Sequence, residues 1–209
     1  MTRKLFFATA AMACLAVAAC QKKEGDNSAG MNPGQTEAVN AVQDAAAGPV
    51  GQAGAAMAAN TTEGFVAAAA MSDMYEIEAG KIAATKAKSP KVKEFAAMMV
   101  KDHTASSSKM KGLLPAGMTP PAALDERRKG MLDNLRATNG DDFDTVYMDQ
   151  QSNAHAEAVT LFRGYADNGD NPGLKGFAAQ TLPVIEKHHE MAKAIDRGGA
   201  DAAANGAAH

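Results

Sequence analysis

The chain has 209 residues, of which 21 are lysine or arginine and 24 are aspartate or glutamate, so its formal net charge is −3. A mildly acidic chain without long basic runs is atypical of nucleic-acid-binding proteins, and we expect no nucleic-acid partner. Both cysteines, Cys14 and Cys20, lie within the first twenty residues. The rest of the chain therefore has no means of thiol catalysis, disulfide formation or cysteine-based metal ligation.

The N-terminus has the pattern of an export signal. Two positive charges, Arg3 and Lys4, precede an apolar run over residues 5–19, which is shorter than the ~20 residues needed to span a bilayer. The run ends in a tetrapeptide that resembles the bacterial lipobox, whose cysteine is acylated and becomes the new N-terminus: Val17-Ala18-Ala19-Cys20. We predict a signal peptide over residues 1–19 and a lipid anchor on Cys20. The alternative is an ordinary signal peptide cleaved before an incidental cysteine.

The residue after the predicted anchor indicates where the protein is sorted. Gln21 is not the aspartate that typically retains lipoproteins in the inner membrane. The predicted location is therefore the outer membrane of the bacterial envelope, with the folded domain facing the periplasm and the membrane as partner through the anchor. Loss of residues 1–19 removes two positive charges and no acid, which takes the formal net charge from −3 to −5.

Two segments lack the composition of a folded core. Residues 20–60 are rich in alanine, glycine and asparagine, contain Gly-Pro and Pro-Gly breaks, and have almost no large apolar side chains. We predict that they form a flexible tether. Residues 198–209 are again rich in alanine and glycine and are predicted to be a disordered tail. The folded domain should lie at residues 61–197.

The spacing of apolar residues within 61–197 is helical, and no segment alternates as a strand would. This predicts an all-α domain with four long helices and one short helix, at about residues 62–88, 90–111, 122–138, 142–167 and 172–197. Ser89 and Pro90 supply an N-cap and an N1 proline, and Pro183 is expected to kink the last helix. The basic run at 127–129 is assigned to a solvated face of the short helix.

The connections between these helices indicate their arrangement. Tight turns join the first pair and the last pair, and such turns force antiparallel hairpins. A longer link, which contains the short helix, joins the two pairs. The predicted fold is therefore an antiparallel four-helix bundle of the ferritin-like type, with an additional short helix in the connection between its second and third helices.

Each long helix interrupts its inward apolar stripe with an acid or a histidine: Glu76, His103, His155 and His188. Counting from the turns places Glu76 and His103 at nearly the same height. The same count offsets His155 from His188 by four residues, roughly 6 Å along the axis. Side chains lean toward the N-terminus of their own helix, which reduces this offset. The four groups are therefore expected to share a layer inside the bundle.

Three imidazoles and one carboxylate are a suitable ligand set for one divalent transition metal ion, such as Zn²⁺, Fe²⁺, Mn²⁺ or Cu²⁺. Tyr147, Gln151 and Asp102 are candidates for the polar groups that surround these ligands. The alternative is that the polar layer hydrogen-bonds within itself and only fixes helix register. A di-iron ferroxidase centre does not fit, because the chain offers one Glu-x-x-His pair, Glu186 and His189, where that centre needs two.

Several segments together resemble a bacterial ferritin-like family, domain of unknown function 4142, whose members are often labelled outer membrane proteins. They are Tyr75-Glu76-Ile77-Glu78-Ala79-Gly80-Lys81-Ile82-Ala83, Met98-Met99-Val100-Lys101-Asp102-His103, Phe143-Asp144-Thr145-Val146-Tyr147, His155 and Leu182-Pro183-Val184-Ile185-Glu186-Lys187-His188. The resemblance implies a four-helix, ferritin-like bundle in an exported protein. It implies no activity. The four candidate ligands fall on the family's motif positions.

Three functional hypotheses follow from these observations. The leading one is an envelope lipoprotein whose bundle binds a metal ion or small ligand through the polar layer, without turnover. The second is a non-catalytic structural or stress-related envelope protein, in which the layer only specifies packing. The third is a metal-dependent redox enzyme.

Overall fold

The computed structural model describes residues 37–140 and 142–206, and the side chains of residues 48–140 and 142–198. Within these ranges the chain is all-helical and has no strand, as the sequence predicts. The six helices are α1 Glu37–Ala58, α2 Thr62–Lys86, α3 Pro90–Lys111, α4 Glu126–Ala137, α5 Asp142–Asn168 and α6 Pro172–Gly206. No helix in the described part is long and apolar enough to cross a membrane. The predicted signal peptide and Cys20 lie outside the described residues.

Local signals explain where α2 and α4 begin. The hydroxyl of Thr61 accepts a hydrogen bond from the backbone N–H of Gly64 at 3.0 Å, which caps the first turn of α2. The carboxylate of Asp125 accepts from the N–H of Arg128 at 2.7 Å. Because this cap fixes the start of α4, the short helix begins later than the predicted residue 122.

The turn between α2 and α3 is held from outside the hairpin. Helix α3 begins at Pro90 as predicted, but the side chain of Ser89 makes no capping hydrogen bond. Instead, the carboxylate of Asp144 on α5 accepts hydrogen bonds from the N–H groups of Lys88 at 3.0 Å and Ser89 at 2.7 Å. The turn therefore fixes the position of the α2–α3 pair relative to α5.

Helix α1 differs from the prediction of a flexible tether over residues 20–60, because residues 37–58 are helical. The last turns of α1 pack against α5 and α2, where Gly51, Ala55 and Ala59 are buried. The hydroxyl of Thr160 on α5 donates a hydrogen bond to the side chain of Gln52. Small residues allow two helix backbones to approach closely, so this contact forms without the large apolar side chains whose absence suggested a tether.

The C-terminal end of α6 also differs from the prediction. The sequence places the end of this helix near residue 197 and a disordered tail after it, whereas α6 continues to Gly206 and passes through Pro183. Alanine has the highest helix propensity, and extending an existing helix avoids the unfavourable nucleation step. The alanine-rich composition of residues 198–206 therefore supports helix.

The core consists of two apolar clusters with a polar layer between them. Along α2 the first cluster ends at Ala70 and the second begins at Tyr75, and along α6 the break lies between Ile185 and Ala192. Corresponding breaks occur in α3 and α5. The buried polar residues at or beside these breaks include Asp73, Glu76, His103, Gln151, His155 and His188. Helices α2, α3, α5 and α6 thus all contribute to one polar layer, which has apolar residues on both sides.

Helices α2 and α3 approach each other closely at Gly80. A Cβ atom at this position would lie 2.8 Å from Cγ2 of Val100 and 2.9 Å from the carbonyl oxygen of Ala96. Both distances are shorter than normal van der Waals contact. Glycine at position 80 therefore sets the spacing of the hairpin one turn away from Glu76.

We expect Gly80→Ala to lower the free energy of unfolding by about 1–2 kcal/mol. The overpacking strain of roughly 1–3 kcal/mol outweighs the ~0.5–1 kcal/mol that alanine gains over glycine in a helix. Gly130→Ala in α4 is the matched control, because a Cβ there meets no atom within 4 Å. That variant should be more stable than the parent in urea unfolding. Equal stabilisation by both substitutions would contradict the close approach.

Candidate metal site

Three histidines from three different helices come together in the polar layer. His103 on α3, His155 on α5 and His188 on α6 are all buried. Their ring centroids are 5.6 Å apart for His103 and His155, 5.9 Å for His103 and His188, and 5.5 Å for His155 and His188. One nitrogen from each ring lies within 4.8 Å of the others. The offset of His155 from His188 expected from the sequence does not separate the two rings.

Each imidazole is held through one nitrogen by an acceptor outside the cluster. Nδ1 of His103 lies 2.8 Å from Oδ1 of Asp73, and Nδ1 of His155 lies 2.8 Å from the backbone oxygen of Gln151. Nε2 of His188 lies 3.2 Å from Oδ2 of Asp102. Because carboxylate and carbonyl oxygens accept hydrogen bonds, each of these nitrogens carries the proton.

In the neutral imidazole, the opposite nitrogen of each ring then bears a lone pair. These atoms are Nε2 of His103, Nε2 of His155 and Nδ1 of His188, and none has a hydrogen-bond partner among the described residues. Metal-binding histidines almost always donate their other N–H to a carboxylate or carbonyl, which fixes the tautomer and the ring orientation. The cluster has this arrangement at all three rings.

Asp73 is a functional residue that the sequence reasoning missed. It is buried, orients His103, and accepts a second hydrogen bond from the hydroxyl of Ser107 at 2.9 Å. A signal was present in the sequence, because Asp73 lies three residues before Glu76, and residues at this spacing share a helix face.

Glu76 lies beside the histidine cluster but outside its compact group. Its Oε1 is 3.9 Å from Nδ1 of His155, and this nitrogen already bonds the carbonyl of Gln151. The predicted set of four ligands is thus a group of three histidines with the acid next to one of them. Oε2 of Glu76 has no hydrogen-bond partner in the described part of the chain.

The three residues expected around the ligands have different positions. Asp102 contacts His188, as described above, and Gln151 contacts His155 through its backbone. Tyr147 is fully buried, with its ring centroid 6.4 Å from that of Phe95. The hydroxyl of Tyr147 and the side-chain amide of Gln151 have no hydrogen-bond partner among the described residues.

The protein environment separates the pKa values of the histidines. Burial lowers the pKa of His103, but the hydrogen bond to Asp73 and the charge of Glu76 outweigh burial and raise it above the usual value. Burial and the charge of His103 hold the pKa of His155 well below its usual range. Burial, followed by the charge of His103, also lowers the pKa of His188. His155 and His188 therefore favour the neutral form that binds metals.

Two cavities adjoin the site. A small one of about 30 Å³ lies among α2, α3, α5 and α6 and is lined by His103 and His188, among others. A larger one of about 440 Å³ lies between α1, α2, α4 and α5, and none of the three histidines lines it. Ser72 and Ala158 line both cavities. The larger cavity is thus separated from the histidines by a thin wall.

The basic run at residues 127–129 is not simply a solvated face, which corrects the prediction. The guanidinium of Arg127 donates two hydrogen bonds to the carboxylate of Glu157, at 3.0 and 2.6 Å. Arg128 pairs with Asp125 at 2.5 Å. Sequence spacing shows the charge of this run but not the acid on α5 that it meets.

The fold and the histidine cluster define the class of protein: an all-helical protein with three buried, converging imidazoles on three helices. The chain belongs to the family described as Domain of unknown function (DUF4142), whose model matches residues 47–195. The matched range includes the last turns of α1, which agrees with their packing against the other helices. A search of curated proteins gives no match, and a search of solved structures gives none.

Proposed function

We propose that the protein is a lipid-anchored envelope protein whose helical domain binds one divalent transition metal ion through His103, His155 and His188. One observation carries this proposal: three buried imidazoles each offer a nitrogen within 4.8 Å of the others, and each ring has one nitrogen without a partner among the described residues while an acceptor holds its other nitrogen. Imidazole suits Zn²⁺, Cu²⁺, Fe²⁺ and Ni²⁺. The carboxyl groups of Asp73, Asp102 and Glu76 surround the cluster and favour a cation there.

The unsatisfied polar atoms favour this function over a layer that only specifies packing. Seven buried side-chain nitrogen and oxygen atoms lack a hydrogen-bond partner within the described residues. Six belong to the polar layer, and the seventh is the hydroxyl of Tyr147. Each such group costs about 1–3 kcal/mol when it is left without a partner. Groups that served packing alone would pair with one another. A metal ion with its bound water supplies partners for the converging nitrogens.

The lipid anchor and the ferritin-like layout are parts of the same proposal. The lipobox-like segment that ends in Cys20 supports attachment to the outer membrane, with the helical domain in the periplasm. Two closely packed helix pairs, α2 with α3 and α5 with α6, support a four-helix bundle. The long link between these pairs, over residues 112–141, is typical of crossover bundles.

Metal analysis of the full chain tests the proposal. The chain is purified from membranes in detergent, stripped with a chelator and titrated with Zn²⁺. We expect one equivalent of bound metal per chain, and a stabilisation of about 2.7 kcal/mol at a free metal concentration of 100 Kd.

The absence of stoichiometric Zn²⁺, Cu²⁺, Fe²⁺ or Mn²⁺, with no shift in melting temperature, would overturn metal binding. Mass spectrometry of the membrane-derived chain checks the anchor. An uncleaved leader or an unmodified Cys20 argues against lipidation. Consumption of peroxide or oxygen that depends on the bound metal would support the redox alternative.

A further inference from the structure

We infer that the bound metal keeps one coordination position open to a small exogenous ligand, namely water, hydroxide or a small inorganic anion, which enters between α3 and α6. This inference rests on the proposed metal site. Structural zinc sites are closed by four protein ligands. A site with an open position belongs instead to the class of metal sites that exchange or activate a ligand.

The described residues supply three ligands and no fourth. Among the described residues, the compact group contains only His103, His155 and His188. Glu76 lies on the Nδ1 side of His155, at 3.9 Å, and that nitrogen is engaged by a backbone carbonyl. The carboxylate is therefore beside the ring edge that faces away from the free Nε2. A four-coordinate metal at the three free nitrogens thus needs a ligand from solution.

The carboxylates of Asp73 and Asp102 already accept hydrogen bonds from the histidines. Asp73 accepts hydrogen bonds from Nδ1 of His103 and from the hydroxyl of Ser107. Asp102 accepts a hydrogen bond from Nε2 of His188. Moving either acid onto the metal would release the imidazole that it orients. Both acids are better suited to holding ligands than to completing the coordination sphere.

A cavity is present where an exogenous ligand would be held. The small cavity is lined by His103 and His188 and by hydroxyl-bearing side chains from three helices: Ser72 on α2, Ser106 on α3 and Thr181 on α6. Its volume of about 30 Å³ leaves room for roughly one or two water molecules. The site should therefore accept ligands of a few atoms and reject organic substrates.

The same cavity offers a path from the surface. Val184 also lines it and is 43 % exposed, and Asp102 at the same opening is partly exposed. A cation or a small ligand can therefore reach the histidines between α3 and α6 without crossing either apolar cluster.

Azide binding to the cobalt-loaded protein tests the inference. The full chain is loaded with one equivalent of Co²⁺, whose visible absorption reports coordination number and ligand type, and is titrated with sodium azide. We expect a saturable change in the spectrum with one azide per cobalt. Ser106→Leu should bind Co²⁺ normally and weaken azide binding at least tenfold. Thr181→Leu reaches the same opening from α6 and serves as a second variant.

Ser108→Leu is the matched control, because Ser108 lies on the exposed side of α3, and it should bind azide as the parent does. Stoichiometric Co²⁺ with no response to saturating azide would overturn the open position and leave the metal site intact. A changed resting spectrum in Glu76→Gln would identify Glu76 as the fourth ligand, with the same consequence. Unchanged azide affinity in both leucine variants would overturn the proposed path. Failure to bind Co²⁺ at all would remove the metal site itself.

Discussion

Replacing His103 with alanine is expected to weaken metal binding by at least roughly 100-fold. Loss of a residue that only orients a ligand typically costs 10–100-fold in metal affinity, and a direct ligand should cost more. His155→Ala and His188→Ala should have the same effect, because the three rings contribute one nitrogen each to the cluster. Isothermal titration with Zn²⁺ after removal of endogenous metal measures the loss.

His189→Ala is the matched control for these three variants. His189 follows His188 directly, yet it lies outside the compact group, so its replacement should leave the affinity for Zn²⁺ unchanged. His103→Ala also leaves Asp73 without its buried partner, which destabilises the fold by about 1–3 kcal/mol without any metal. Melting temperatures are therefore compared with and without metal for each variant. Equal losses from His189→Ala and His103→Ala would place the binding site elsewhere.

Most of the helical framework could be predicted because its determinants are local. Helical spacing and the Ser89-Pro90 pair each depend on a few neighbouring residues. Gly140 has a φ of 73°, a backbone conformation that favours glycine. Such signals locate helix ends without knowledge of the tertiary structure. The boundaries of α2, α3 and α5 accordingly agree with the predicted ones to within two residues.

The packing of α1 could not be predicted for a physical reason. Its apolar face is made of alanine and glycine, and burial of such small groups gives little signal in hydrophobicity. The contact depends on a complementary surface on α5, where a Cβ at Gly164 would lie 2.8 Å from Cβ of Ala59. Complementarity between two helices distant in sequence is a tertiary property. The composition of residues 37–58 alone therefore suggested a tether.

The sequence predicts how far along each helix the candidate ligands lie, but it does not predict which way their side chains point. Counting from the turns gave the layer that holds His103, His155 and His188, which the structure brings together. Height along a helix does not determine where a side chain points. Asp73 rather than Glu76 bonds a histidine through its carboxylate, and the two acids are separated by less than one helical turn. A rotation of α2 about its axis by a fraction of a turn therefore determines which of the two acids hydrogen-bonds to a histidine.

Glu76→Gln is expected to remove a pH-dependent penalty from the metal-free protein. Burial raises the pKa of Glu76 from 4.5 to about 7, against the opposing influence of His103 and the Gln151 amide. Between these two pH values the folded state holds a proton that the unfolded state has released. The contribution of Glu76 to stability therefore falls as pH rises through this window. The shift corresponds to about 3 kcal/mol between pH 4.5 and pH 8.

The difference in unfolding free energy between Glu76→Gln and the parent reports this effect together with its coupling to His103, whose pKa the charge of Glu76 raises. Both proteins keep the titrations of His155 and His188. Urea unfolding with a chelator present should give similar stabilities near pH 4.5, and a variant more stable than the parent by up to about 3 kcal/mol at pH 8. Glu78→Gln is the control, since Glu78 is partly exposed and pairs with Lys81 at 2.7 Å. It removes a carboxylate of the same helix that lies outside the polar layer, so it should not reproduce the gain at pH 8. A difference in unfolding free energy for Glu76→Gln that stays the same between pH 4.5 and pH 8 would show that this carboxyl ionises in the folded protein as readily as in the unfolded chain. That result would contradict its burial in the polar layer.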